Sequence, residues 1–115
     1  MDKIMTFLFS EAVAIENVTE NLPQIFRLGQ NYPNPFNPIT AFEYQLPKQS
    51  DIKITIFNNV GSKIQGWYFL QQAPGTYKMT WDGTNMSGKK VSSWNYYYRL
   101  STDDFSQTHK MVLLK

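Results

Sequence analysis

The chain has 115 residues, a net charge of +2 from 11 basic and 9 acidic side chains, and no cysteine. That length suits one domain. The near balance of charge offers no footprint for nucleic acid or an anionic membrane, and the missing cysteines exclude disulfides and thiolate metal sites.

Residues 1–25 read as an N-terminal arm or linker. Met1 to Glu16 has a weak leader pattern: Lys3, an apolar patch from Ile4 to Phe9, and Ala12-Val13-Ala14 as a small-residue site. The patch is short, and Glu11 stands where small neutral residues belong, which argues against cleavage. No apolar run in the chain approaches the ~20 residues that span a bilayer.

Gln30 to Pro38 holds three prolines and three asparagines. Proline fixes φ, removes an amide donor and pushes the preceding residue to extended geometry. The stretch is therefore a rigid loop, with Tyr32 and Phe36 as two apolar anchors.

Strand signals follow in order. Ile39–Leu46 alternates with Phe42, Tyr44 and Leu46 on one face, and Pro47–Asp51 turns the chain. Ile52, Ile54 and Ile56 alternate with Lys53, Thr55 and Phe57. Asn58–Gly61 is a turn of residues that tolerate positive φ. Lys63–Leu70 is a strand, with Gly66 as a candidate bulge. After Pro74-Gly75, Tyr77, Met79 and Trp81 share a face. Asp82–Lys90 is a polar loop. Trp94–Ser101 is aromatic-rich, and Thr108–Leu114 closes the chain after a turn at Asp103-Asp104. About seven short strands with no helix imply an all-β fold: one immunoglobulin-like antiparallel β-sandwich over residues 26–115. The aromatic share of 16% supports it.

The block Asn31-Tyr32-Pro33-Asn34-Pro35-Phe36-Asn37-Pro38 resembles the opening signature of the type IX (Por) secretion sorting domains. Further matches are Trp81-Asp82-Gly83 and the terminal Lys110-Met111-Val112-Leu113-Leu114-Lys115. One departure is Trp94, where that family usually has glycine. The resemblance implies a non-catalytic C-terminal sorting module. Secretion translocon components would read it in the periplasm of a Gram-negative bacterium and deliver it to the cell surface or outside.

Candidate chemistry is sparse. Asp82 and Asn85 form the one loop that resembles a cation site, but calcium asks for six to eight oxygens with several carboxylates. Turn formation through their own backbone accounts for both residues. His109 is the sole histidine and reads as a surface residue. No phosphate loop, zinc-protease motif or nucleophile elbow is present. The reading is therefore no enzyme and no cofactor.

The aromatics invite more. Successive strand residues face opposite ways, so some of Trp67, Phe69, Trp94 and Tyr97 are expected to form an exposed interaction surface. Two other functions follow as expectations. One is a self-assembling filament-type subunit in which the arm Ile4–Val18 adds a strand to another copy. The other is a module that binds surface polysaccharide through Trp67 and Trp94.

Overall fold

A computed structural model describes residues 22–114. Seven strands run in chain order: β1 (Arg27–Leu28), β2 (Thr40–Leu46), β3 (Ser50–Asn58), β4 (Lys63–Gln72), β5 (Gly75–Trp81), β6 (Trp94–Ser101) and β7 (Ser106–Leu113). They form two antiparallel sheets, β1-β2-β5 and β4-β3-β6-β7. The fold is the all-β, immunoglobulin-like sandwich that the alternation implies. The expected arm lies, up to residue 21, outside the described residues.

Alternation sets the layers. In β2, Phe42, Tyr44 and Leu46 are buried, and in β3 Ile52, Ile54 and Ile56 are buried. Trp81, Tyr96, Tyr98, Leu100, Met111 and Leu113 complete the filling from β5, β6 and β7. The sheets lock through aromatics. Phe42 of β2 stacks on Tyr98 of β6 at 4.4 Å between centroids, and Trp81 meets Tyr96 edge-on at 5.4 Å. Burial of each such ring contributes roughly 1.5–3 kcal/mol, and favourable ring geometry adds to it.

The polar tips of these rings are all engaged. The Tyr98 hydroxyl donates to the Gly29 carbonyl at 2.6 Å, and Tyr44 donates to Gln72 Oε1 at 2.8 Å. Tyr96 donates to the Ser92 carbonyl at 2.7 Å, and Trp81 Nε1 to the Thr84 carbonyl at 2.8 Å. The Tyr44 and Tyr98 bonds cross between layers, so they fix the register of one sheet on the other.

Four local expectations differ from the structure. The final strand begins at Ser106 and ends at Leu113. Strand β1 is an addition: two residues carry too little pattern to read. Gly66 is no bulge, since it pairs regularly with Thr55; the irregularities lie between Ser50 and Ile52 and between Ile56 and Phe57. Gly66 instead makes room for Lys63, whose Cε would sit 2.8 Å from an added Cβ. Finally, Tyr32 is no anchor. It is 81% exposed, because its backbone pairs with Ala41 while its ring points away from the core.

Burial pushes the Tyr44 hydroxyl up to about 12 and the Tyr98 hydroxyl higher still. Unfolded tyrosine ionises near 10, so the folded chain holds these two protons more tightly. Their contribution is complete below pH ~10 and drains as pH rises toward and through the folded values, by about 1.4 kcal/mol per pH unit per group. Urea unfolding at about pH 8 and about pH 11 is expected to show the midpoint falling, with a smaller fall in Tyr98→Phe. A midpoint unchanged between the two pH values would contradict burial of both hydroxyls.

Candidate functional site

The densest constellation of sequence-singled residues lies at one flank of the sandwich, where the Asn31–Pro38 loop meets the C-terminal strand. Proline removes amide donors here, and three of the X-Pro bonds (Tyr32-Pro33, Asn34-Pro35, Asn37-Pro38) are cis. The backbone groups of Tyr32 and Phe36 find partners on β2 and along β7. Tyr32 exchanges both backbone bonds with Ala41, at 2.8 and 3.0 Å. The Phe36 amide donates to the Val112 carbonyl at 2.9 Å, and its carbonyl accepts from the Leu114 amide at 2.9 Å. Asn34 Oδ1 accepts from the Val112 amide at 2.9 Å. The loop thus behaves as a short extra strand along the outer edge of β7.

Two side chains drive it home. Phe36 is buried, with its ring 5.6 Å from that of Trp81. Asn31 is also buried, and its amide nitrogen donates to Thr40 Oγ1 at 2.9 Å and to the Pro33 carbonyl at 3.2 Å. Asn31 Oδ1 accepts from Gln30 Nε2 at 2.6 Å, and the same Gln30 nitrogen donates to the Lys110 carbonyl at 2.9 Å. Thr40 Oγ1 donates to the Pro33 carbonyl at 2.9 Å. A buried amide satisfied this fully specifies one loop conformation. At the C-terminal end Met111 and Leu113 are buried, and Lys110 is exposed. Lys115 lies outside the described residues.

His109 belongs to the same flank. It is half-buried, its Nε2–H donates to the Leu28 carbonyl at 2.7 Å, and its ring lies 5.7 Å from Tyr98. Gln107 Oε1 accepts from the Leu28 amide at 3.1 Å. Together they tie β7 of one sheet to β1 of the other. The sequence offered no signal for this pairing across 79 and 81 residues.

The Trp81-Asp82-Gly83 turn is local. Asp82 Oδ1 accepts from the Thr84 hydroxyl at 2.6 Å and from the Thr84 amide at 3.2 Å. Asn85 Oδ1 accepts from the amides of Ser87 and Lys89 at 2.9 and 3.0 Å. Gly83, at φ +79°, supplies the left-handed residue that the turn needs. Asp82 Oδ1 and Asn85 Oδ1 thus serve turn bonds. Among the described residues no three acidic or histidine side chains gather.

The aromatic surface differs from expectation. Trp67 and Phe69 pair directly with Ile54 and Ile52, so they share the inner face and pack on the core. The residues that face out are Tyr68 and Leu70, 63% and 65% exposed. Trp94 is exposed as expected, at 56%, and Tyr97 is half-buried. Trp67 lies in the row of Leu100, six residues along β6 from Trp94, or roughly 20 Å. The two tryptophans therefore form no common platform for a polysaccharide chain.

Truncating Phe36 to alanine is expected to cost about 3–5 kcal/mol in chemical unfolding. Asn31→Leu is expected to cost about 1–3 kcal/mol, because Gln30 and Thr40 lose their buried partner. Stability within ~0.5 kcal/mol of wild type for both would mean that the loop merely rests on the sandwich.

Comparison with known proteins changes the family reading. The family model of the FlgD Ig-like domain matches residues 38–105. No curated protein sequence matches the chain. Among solved structures, dimeric latent PorU from Porphyromonas gingivalis is similar over 80% of this chain and 9% of its own, at 16% identity and TM-score 0.62. PorZ, an essential bacterial surface component of the type-IX secretion system of the same organism, is similar over 78% of this chain and 11% of its own, at 16% identity and TM-score 0.52. FlgD from P. aeruginosa is similar over 78% of this chain and 74% of its own, at 18% identity and TM-score 0.51. At such identities these likenesses show the fold alone.

The resemblance to type IX sorting domains is thereby corrected, and with it the expectation of a secretion-sorting function. Two of the three blocks that carried it, Asn31–Asn37 and Lys110–Lys115, lie outside the matched residues. The structure gives those blocks another cause, since proline spacing, asparagine and the apolar terminal residues all serve the seam with β7. Neither the filament subunit nor the polysaccharide module gains support: the arm Ile4–Val18 lies outside the described residues, and the tryptophans are apart. By the match over residues 38–105, more than half of its length, the chain belongs to the FlgD Ig-like domain family.

Proposed function

We propose that the chain is a non-catalytic structural module of the FlgD Ig-like kind, a rigid block that serves as a scaffold part in flagellar hook assembly outside the cytoplasm. The observation that carries this reading is the family match over residues 38–105. Its physical support is the way the polar chemistry is used. The Tyr44, Tyr96 and Tyr98 hydroxyls, Trp81 Nε1, the Asn31 amide and His109 Nε2 are each bonded within the fold. A nucleophile or general base needs a reactive atom aimed at a substrate position, and these groups aim at the protein itself. What the module offers a partner is shape: two sheet faces, turns at both ends and strand edges. Its partners are then other proteins of the assembly, without cofactor or nucleic acid.

Deletion of residues 26–115 in the native host is expected to leave hooks absent or truncated in electron micrographs, with motility lost. Hooks of normal length in the deletion strain would contradict the scaffold reading.

A further inference from the structure

Three polar side chains are buried among the described residues: Asn31, Thr40 and Thr55. Asn31 and Thr40 bond each other and both donate to the Pro33 carbonyl. Thr55 is different. It is 6% exposed, and its hydroxyl has no hydrogen-bond partner among the described residues. A buried hydroxyl left unpaired destabilises a fold. Valine has the same shape without that cost, so the threonine points to a polar group that comes from elsewhere.

The surroundings of Thr55 say which group. It sits mid-strand in β3, on the outer face of the four-stranded sheet with Lys53 and Phe57. Its partner on β4 is Gly66 and its partner on β6 is Arg99. Opposed side chains stand ~5 Å apart, so glycine leaves a notch directly beside the hydroxyl. Lys63 reaches along β4 into that notch: its Cε and Nζ lie 2.8 and 3.2 Å from where a Gly66 Cβ would stand. Lys53 and Tyr68, the next outward pair, form the far wall of a groove of about 470 Å³. No acidic residue lines it. Asp51, two residues before Lys53, has Oδ1 on the Gln71 amide. The one ion pair between described residues joins Lys48 to Asp104, so neither Lys53 nor Lys63 is neutralised there. Arg99 adds a third cation at the margin, its guanidinium 4.9 Å over the Phe57 ring and its Nε on Thr108 Oγ1 at 3.2 Å.

We propose that this groove is an oxyanion site. It takes one carboxylate or phosphate group, with the Thr55 hydroxyl donating from the floor and the Lys63 and Lys53 ammoniums closing over it. Hydrogen bonds to an ionised acceptor are short and strong, and an ammonium on a flexible stem can follow the anion as a point charge. Gly66 makes the arrangement possible, because any side chain there would displace Lys63 from beside the hydroxyl. The site gives the module a chemical contact as well as a shape, and it stands apart from the reading of hook assembly.

The test follows the backbone amides of the full chain by NMR in sodium phosphate and in sodium acetate, each against sodium chloride of equal ionic strength. Saturable shifts at Thr55 and Gly66 are expected, with half-saturation at about 10 mM or below. The tighter of the two anions gives the chemical class of the ligand. Thr55→Val is expected to weaken binding roughly tenfold. In chloride it is expected to melt at the same temperature as wild type or higher, because valine removes the unpaired hydroxyl. Gly66→Ala, which pushes Lys63 out of the notch, and Lys63→Met are each expected to weaken binding roughly fivefold with unchanged circular dichroism. Shifts that climb without saturating in both salts would mean an adventitious ion only and would overturn the site. Undiminished binding by Thr55→Val, or a lower melting temperature in that variant, would overturn the role given to the hydroxyl. None of these readouts depends on hook assembly.

Discussion

A sheet of three strands, one of them two residues long, has to cover a sheet of four. The mismatch leaves the β7 flank of the larger sheet short of a partner, and Met111 and Leu113 would face water there. The chain solves this before it begins β2. It lays Asn34–Phe36 along β7, drops Phe36 into the gap beside Trp81, and holds the lay with backbone bonds from Phe36 to Val112 and Leu114. Closure of this seam is the constraint on which the rest of the sandwich depends. It buries the end of β7, seats Trp81 against both Phe36 and Tyr96, and places Gly29 where the Tyr98 hydroxyl can reach its carbonyl.

The same constraint explains why a conspicuous motif is a weak guide to function here. A run such as Asn-Tyr-Pro-Asn-Pro-Phe-Asn-Pro looks like a recognition tag because its composition is unusual. Physically it needs to be unusual. An edge-capping segment must be rigid, must present few unpaired amides and must satisfy those it keeps. Proline meets the first two demands, the Tyr32 and Phe36 amides meet the third on Ala41 and Val112, and asparagine ties the segment down, Asn34 by accepting from the Val112 amide and Asn31 by donating to Thr40. The Tyr32 ring takes no part in this and stands in solvent.

Much of the fold was legible in the sequence, and the misses are instructive. The period-two runs of β2, β3, β5 and β6 specify their buried faces because a half-buried strand can satisfy water and core only by alternating. The outward placement of Trp67 and Phe69 failed for a related reason. Alternation states that two faces exist, while the register against β3 decides which is inner, and Ile52 and Ile54 took both residues inward. Long-range ties such as Leu28 to His109 and Gln107 leave no periodic trace. They arise from which strands the topology brings together, and a two-residue strand like β1 exists only through those ties and its pairing with β2. The family emerged from the match over residues 38–105, whose ends fall inside the seam and the β6–β7 turn.

Native-state hydrogen exchange on the amides of Phe36, Val112 and Leu114 tests seam closure most directly. If the seam closes the sandwich, these three amides open only with global unfolding, with protection matching that of Ile54 and Tyr98 in the central strands. Exchange at rates typical of an exposed loop, while β3 and β6 stay protected, would show that the sandwich stands without the seam and would contradict the account.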